Sequence, residues 1–256
     1  MTFDEILATV QDDAVMIPDG WGQGRACFGG LVGAILYRRL RQAVPDRPVR
    51  NVMVSFVGPV APGPATLSAE VLRSGKSVTQ AMCRLEQDGA TQAVMLVSFG
   101  LPRESDVSVV PPPAPAMKAP ADTFPMPRVK GLVPDFTLNF DVHWAHGDVP
   151  YSRSQRGEIG GWIRFHTPRA QQDEEGVLAL IDAWPPAVMP MYSRPGPSSS
   201  LTWSVEFRKP VVDSEWWQYQ ATTDAAADGY CNIEARFWDG EGDLVAISRQ
   251  VVTIFV

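Results

Sequence analysis

The sequence predicts an α+β fold made of two related halves in tandem. Three observations carry this: a short pattern that occurs twice, a helix-forming segment ahead of each copy, and a proline-dense stretch that divides the chain into similar lengths. The first copy is Val54-Ser55-Phe56-Val57-Gly58-Pro59-Val60 and the second is Val205-Glu206-Phe207-Arg208-Lys209-Pro210-Val211, sharing Val, Phe, Pro and Val at one spacing.

In the first half, Gly29 to Val44 is apolar on most sides through Leu31, Val32, Ala34, Ile35, Leu36 and Leu40. That is the pattern of a helix wrapped by other structure. Its glycines, Gly29, Gly30 and Gly33, allow close approach of its backbone. Strand-like runs follow, with a turn at Gln87-Asp88-Gly89 and a last β-rich run from Thr91 to Phe99. Residues 101–130 hold Pro111-Pro112-Pro113, Pro115, Pro120, Pro125 and Pro127, a density that no helix or central strand tolerates. In the second half, Asp173 to Trp184 has acids in its first turn, apolar Val177, Leu178 and Ile181, and a stop at Pro185-Pro186. Strands, a turn at Asp239-Gly240-Glu241-Gly242 and a run from Asp243 to Val256 complete it. The expectation is a unit at 1–100, an extended connector at 101–130 and a unit at 131–256, each unit with one helix followed by four antiparallel strands.

Hydrophobic residues make up 45% of 256, which is enough for a sizeable core and excludes disorder of the whole chain. Lys and Arg number 22 against 29 Asp and Glu, so the net charge of −7 has the wrong sign for a general nucleic-acid binder. Cys27, Cys83 and Cys231 are odd in number and widely spaced, which fits a reducing compartment. The start of the chain carries acids where a signal peptide needs basic residues, and no apolar run approaches the roughly 18 residues of a membrane span. These features predict a soluble, unprocessed cytoplasmic protein without membrane or nucleic-acid partners. Homo-oligomerisation is left open.

Several segments resemble the acyl-CoA thioesterase II family, whose fold is a double hotdog: two antiparallel sheets, each wrapped round a central helix. Phe28-Gly29-Gly30 resembles that family's first helix signature, and Leu72-Arg73-Ser74-Gly75-Lys76-Ser77 its following Arg-x-Gly-x-Ser segment. Leu180-Ile181-Asp182, the run Ser199 to Pro210 and the run Asp243 to Gln250 correspond in the second half. The resemblance implies an acyl-CoA substrate and no cofactor or metal. It also implies that Asp182, Ser200 and Gln250 orient and activate a water. Where the family usually has Asp-His, two and three residues after its catalytic hydroxyl, this chain has Thr202-Trp203.

Physical reading of those residues leaves alternatives. Asp182 lies beside the apolar stripe at a helix C-terminus, where the dipole and burial both raise a carboxyl pKa toward general-base strength. The other reading is an exposed Asp before a turn. In the segment Ser200 to Phe207, strict alternation places Ser200, Thr202, Ser204 and Glu206 on the solvent face. Gln250 shares a strand face with Ala246, Ser248 and Val252 that is as mixed as the opposite one, so alternation does not say which is buried. The backbone N–H groups of Gly29 or Gly30, at a helix N-terminus, suit the oxygen that gains charge when a thioester is attacked. Arg73, Lys76, Arg208 and Lys209 are candidates to neutralise the phosphates of coenzyme A.

Other chemistries fit less well. There is no Gly-x-Ser-x-Gly elbow, and His143 and His146, three apart on one strand, point to opposite faces without a third metal ligand. His166 resembles the histidine of hotdog dehydratases but has no acidic helix partner at a matching position, which makes dehydratase the alternative enzyme. A non-catalytic acyl-CoA-binding protein is the alternative outside enzymology, with Thr202-Trp203 as its support.

Overall fold

A computed structural model describes residues 1–255. Three α-helices and fourteen strands are formed among them: α1 (Phe3–Ala8), β1 (Ala14–Ile17), β2 (Gly22–Gln23), β3 (Ala26–Cys27), α2 (Gly29–Ala43), β4 (Val49–Phe56), β5 (Gly63–Ser74), β6 (Val78–Gln87), β7 (Ala90–Gly100), β8 (Phe124–Pro125), β9 (Phe140–Gly147), β10 (Glu158–Phe165), α3 (Glu174–Asp182), β11 (Ser198–Phe207), β12 (Trp217–Ala227), β13 (Tyr230–Trp238) and β14 (Leu244–Ile254). All but β2 and β3 join one antiparallel sheet, ordered β1-β5-β6-β7-β4-β11-β14-β13-β12-β10-β9-β8. The two halves meet at β4 and β11, where Val52 faces Val205 and Val54 faces Trp203. The repeated segments of the sequence thus lie side by side at the centre, and the order of the flanking strands is mirrored about them.

The helices α2 and α3 pack against the sheet and against each other. Buried Leu31, Val32, Ala34, Ile35, Leu36, Tyr37 and Leu40 cover nearly the whole circumference of α2, which packs on β5, β6 and β7 and against α3. Phe28 precedes α2 and stacks on Phe136, with centroids 4.3 Å apart, so aromatic contact with the other half fixes this entry. The helix ends at Val44 ahead of Pro45, and Arg41 donates to the carbonyls of Val44 and Arg47. Asp173 caps α3 by accepting from the Gly176 N–H at 2.8 Å while Arg169 donates to both of its carboxylate oxygens. The other end of α3 stops at Ala183, two residues short of Pro185-Pro186. Both helices therefore begin and end within about two residues of expectation.

The strand count differs from four per half. The second half adds β9 and β10 before α3, and the first half adds the short β1 beyond β5. A bulge at Gly160/Gly161 breaks the alternation of β10, with Gly161 at φ +154° where a Cβ would lie 2.0 Å from the His143 carbonyl. The proline-rich stretch is extended and contributes one edge strand, β8, where proline removes no central ladder bond. It is strapped to the second half by side chains: Gln218 donates to the Pro115 carbonyl at 2.6 Å, Trp162 to that of Lys118 at 2.8 Å and His143 to that of Pro120 at 2.7 Å. Among the described residues no helix is long and apolar enough to cross a membrane.

Helix packing depends on Gly30. A Cβ there would lie 2.5 Å from the Phe28 ring and 3.0 Å from the Ala179 Cα of α3. Helix propensity alone makes Ala better than Gly by about 0.8–1.0 kcal/mol, but overpacking against a facing backbone costs about 1–3 kcal/mol. Gly30→Ala is expected to lower the urea midpoint of unfolding, and an unchanged or higher midpoint would show that the helices separate freely.

Candidate active site

The C-terminus of α3 meets the N-terminus of α2, and this contact places Asp182. A Cβ on Gly29 would stand 2.9 Å from Asp182 Oδ2 and 3.2 Å from the Phe56 ring, so only glycine admits the carboxylate at that range. The Gly30 N–H lies against the same carboxylate and favours its charged form. Gln250 Nε2 donates to Asp182 Oδ1 at 2.5 Å. Burial dominates: it pushes the Asp182 carboxyl up to about 7, against the smaller, lowering effects of the Gln250 amide and the Gly30 N–H. No cation pairs with Asp182 among the described residues.

Ser200 does not follow the alternation of its strand. A bulge at Leu201 sets Ser200 opposite Val252 and Thr202 opposite Val251, whereas Trp203 is opposite Gln250. Residues paired across an antiparallel ladder project to the same face, so Ser200 shares the inner face with Trp203, Val252 and Gln250. The expectation that Ser200 lies with Thr202 and Ser204 on the solvent face is thereby corrected, because one extra residue reverses the phase of a two-residue repeat. The same registers settle the face of Gln250, which points inward onto Asp182.

Asp182, Ser200 and Gly29 line one cleft of about 420 Å³, together with Val32, Phe56, Cys27 and the rims at Gly58–Val60 and Ser198–Leu201. Gln250 is not among its lining residues. The hydroxyl of Ser200 makes no hydrogen bond to either partner among the described residues. The N–H of Gly29 has no backbone acceptor among them, as the start of a helix leaves it none. Gly30 is different: it is buried in the helix crossing, and its N–H is directed to Asp182.

The cations expected to meet phosphates are elsewhere. Arg73, in the last rungs of the ladder of β5, and Lys76, just past it, lie at the end of that strand remote from the cleft, about 30 Å along it from Gly63. Arg208 and Lys209 follow the far end of β11, about 25 Å from Ser200 by the same rise, and Lys209 is held by Asp239 and Asp243, each at 2.8 Å. The cation that does line the cleft is Arg25, exposed at the tip of the β2–β3 hairpin. Sequence reasoning missed it, since two-residue strands leave no periodicity; its only signal is a basic residue within Gly22-Gln23-Gly24-Arg25 just before the glycine helix. His166 accompanies Asp141 at 2.8 Å and Arg128 at 2.7 Å in an exposed network outside the cleft, so the carboxylate beside it comes from β9 and not from a helix.

The raised carboxyl pKa has a consequence for stability. Below about pH 4 the Asp182 carboxyl is protonated whether folded or unfolded; between there and about 7 only the unfolded chain ionises, so stability falls as pH rises and levels off above 7. Asp182→Asn is therefore expected to gain stability over the wild type, on the order of a few kcal/mol, growing through that window. Urea unfolding at pH 5 and pH 8 measures it; a gain independent of pH would show that burial does not hold the proton.

The chain matches a known family along most of its length. The family model of the acyl-CoA thioesterase C-terminal domain matches residues 111–254, and that of the N-terminal domain matches 17–100. No curated protein matches. Among solved structures, a hot dog protein of unknown function from Alicyclobacillus acidocaldarius is similar, with 23% identity and a TM-score of 0.87 over 99% of this chain and 98% of its own. An acyl-CoA thioesterase II from Mycobacterium marinum is 18% identical with a TM-score of 0.79, covering 99% and 98%. At these identities the likeness speaks for the fold, and the matched models cover nearly the whole length. The chain belongs to the acyl-CoA thioesterase family of hotdog thioester hydrolases.

Proposed function

We propose that the protein hydrolyses acyl-CoA to free acid and coenzyme A, with Asp182 as general base. The observation that carries this reading is a carboxylate near pKa 7, held by a neutral amide, facing an open cleft next to a helix N-terminus. A base with a pKa near the working pH combines an ionised population with useful basicity. In the proposed step a water between Asp182 Oδ2 and the Ser200 hydroxyl gives its proton to Asp182 as its oxygen bonds to the thioester carbon. The carbonyl oxygen gains charge beside the Gly29 N–H, an arrangement that favours the transition state. The C–S bond then breaks, the sulfur takes the proton back from Asp182, and acid and thiol leave. Gln250 acts here on the carboxylate rather than on the water, fixing Oδ1 so that Oδ2 faces the cleft. Arg25 at the rim meets the phosphates of the coenzyme.

Asp182→Asn is expected to cut turnover by about 10²- to 10⁴-fold with acyl-CoA affinity nearly unchanged. Ser200→Ala and Gln250→Ala should each cost less, and their losses should not add to that of Asp182→Asn, because Ser200 holds the water that Asp182 activates and Gln250 holds the Asp182 carboxylate itself. In the wild type kcat/KM should rise with pH and level off above about 7, as the ionised base accumulates. Thiol release followed with Ellman's reagent reads all of these; full activity in Asp182→Asn would place the chemistry elsewhere. Binding of acyl-CoA without any thiol release would favour the non-catalytic reading.

Arg25→Ala should raise KM several-fold and leave kcat almost unchanged, with the difference shrinking at high salt, since an exposed cation acts by screened attraction. An unchanged KM would put the phosphates elsewhere on the rim.

A further inference from the structure

We infer that Trp203 closes the cleft from within, so that the enzyme accepts only short acyl groups. This rests on the thioesterase reading and deepens it. A thioester carbon beside Asp182 directs its acyl group inward between α2 and the central strands, because the coenzyme arm occupies the open side. On α2 the residue one turn inward from Gly29 is Gly33; on β11 the inner-face residue next after Ser200 is Trp203. These two meet: a Cβ on Gly33 would lie 3.0 Å from Trp203 Cζ3. The indole is 1% exposed, seated between Val54 and Gln250 in the sheet, and its Nε1–H donates to Ser248 Oγ at 2.9 Å. The ring is thus pressed on a helix backbone above and pinned by a hydrogen bond below, and it does not swing aside cheaply.

The cleft lining agrees. It includes Gly29 and Val32 of α2 and Ser200 and Leu201 of β11, and reaches neither Gly33 nor Trp203. The four residues from Gly29 to Gly33 rise about 6 Å along the helix, and with C–C bonds of about 1.5 Å that depth holds an acyl group of about four carbons. Gly33 and Trp203 are complementary: the missing Cβ on the helix makes room for the largest side chain on the strand, where a smaller residue would leave a channel.

A series of acetyl-, butyryl-, octanoyl- and palmitoyl-CoA, assayed for thiol release and, in parallel, for binding, tests the cap. In the wild type kcat/KM for octanoyl- and palmitoyl-CoA should fall at least about ten-fold below that for butyryl-CoA, the size of penalty a closed pocket imposes. Trp203→Leu should raise the octanoyl-to-butyryl ratio of kcat/KM by about ten-fold or more while changing acetyl-CoA hydrolysis little. Turnover or affinity in the wild type that keeps rising through octanoyl and palmitoyl overturns the cap, even if the variant does not fold. Absence of thiol release with affinity that stops rising at butyryl would instead overturn the hydrolytic reading and leave the cap in place.

Discussion

The site depends on one contact, the approach of the C-terminus of α3 to the N-terminus of α2. Opposite ends of two helix dipoles meet there, so the negative end that raises the Asp182 carboxyl is partly answered by the positive end that carries Gly29 and Gly30. The contact requires two residues without side chains: Gly29 to admit the carboxylate and Gly30 to admit Ala179. Everything else is arranged about it. Gln250 reaches Asp182 from the sheet, and Phe28, just before the glycines, stacks on Phe136 of the second half.

Duplication gives the fold two ends of this helix pair, and the chemistry differs between them. At the other end, where the C-terminal part of α2 meets the first turn of α3, Arg38 Nη1 is 3.5 Å from Glu175 Oε1, and Glu175 is 2% exposed. Burial raises this carboxyl too, to about 7. Here, however, a guanidinium stands at the carboxylate instead of an amide. One end holds a carboxyl without a cation beside a cleft; the other holds a carboxyl with one. A tandem fold can in this way keep one site and use the second as structure.

Much of the fold was legible because its signals are local. Proline after each helix, acids at the start of α3 and the continuous apolar surface of α2 set the helix bounds, and the repeated Val-x-Phe-x-x-Pro-Val marked the two central strands. What was missed depends on register. A single extra residue at Leu201 reverses the face of Ser200, and no alternation rule contains that insertion. Gln250 lay on a strand whose two faces read alike, and its pairing with buried Trp203 and its partner on α3 identify the inner one. The glycine bulge in β10 obscured a strand in the same way. Proximity in sequence also misled: Arg208 is eight residues from Ser200, which along an extended strand is about 25 Å, whereas Arg25 lines the cleft itself.

In the proposed reaction, an amide rather than a cation beside Asp182 suits the demand on its proton. A lysine or arginine at 2.5 Å would favour the carboxylate strongly enough to bring its pKa down by one to three units, and a base so weakened would no longer take a proton from water near neutral pH. No partner at all would leave a buried carboxyl unsatisfied and free to turn from the cleft. Glutamine meets both constraints, because its Nε2–H fixes one oxygen without adding charge. The stability that a better-neutralised Asp182 would return is the same free energy that keeps its proton affinity high. The burial that makes this corner of the protein less stable at high pH is therefore the property that suits Asp182 to act as a base.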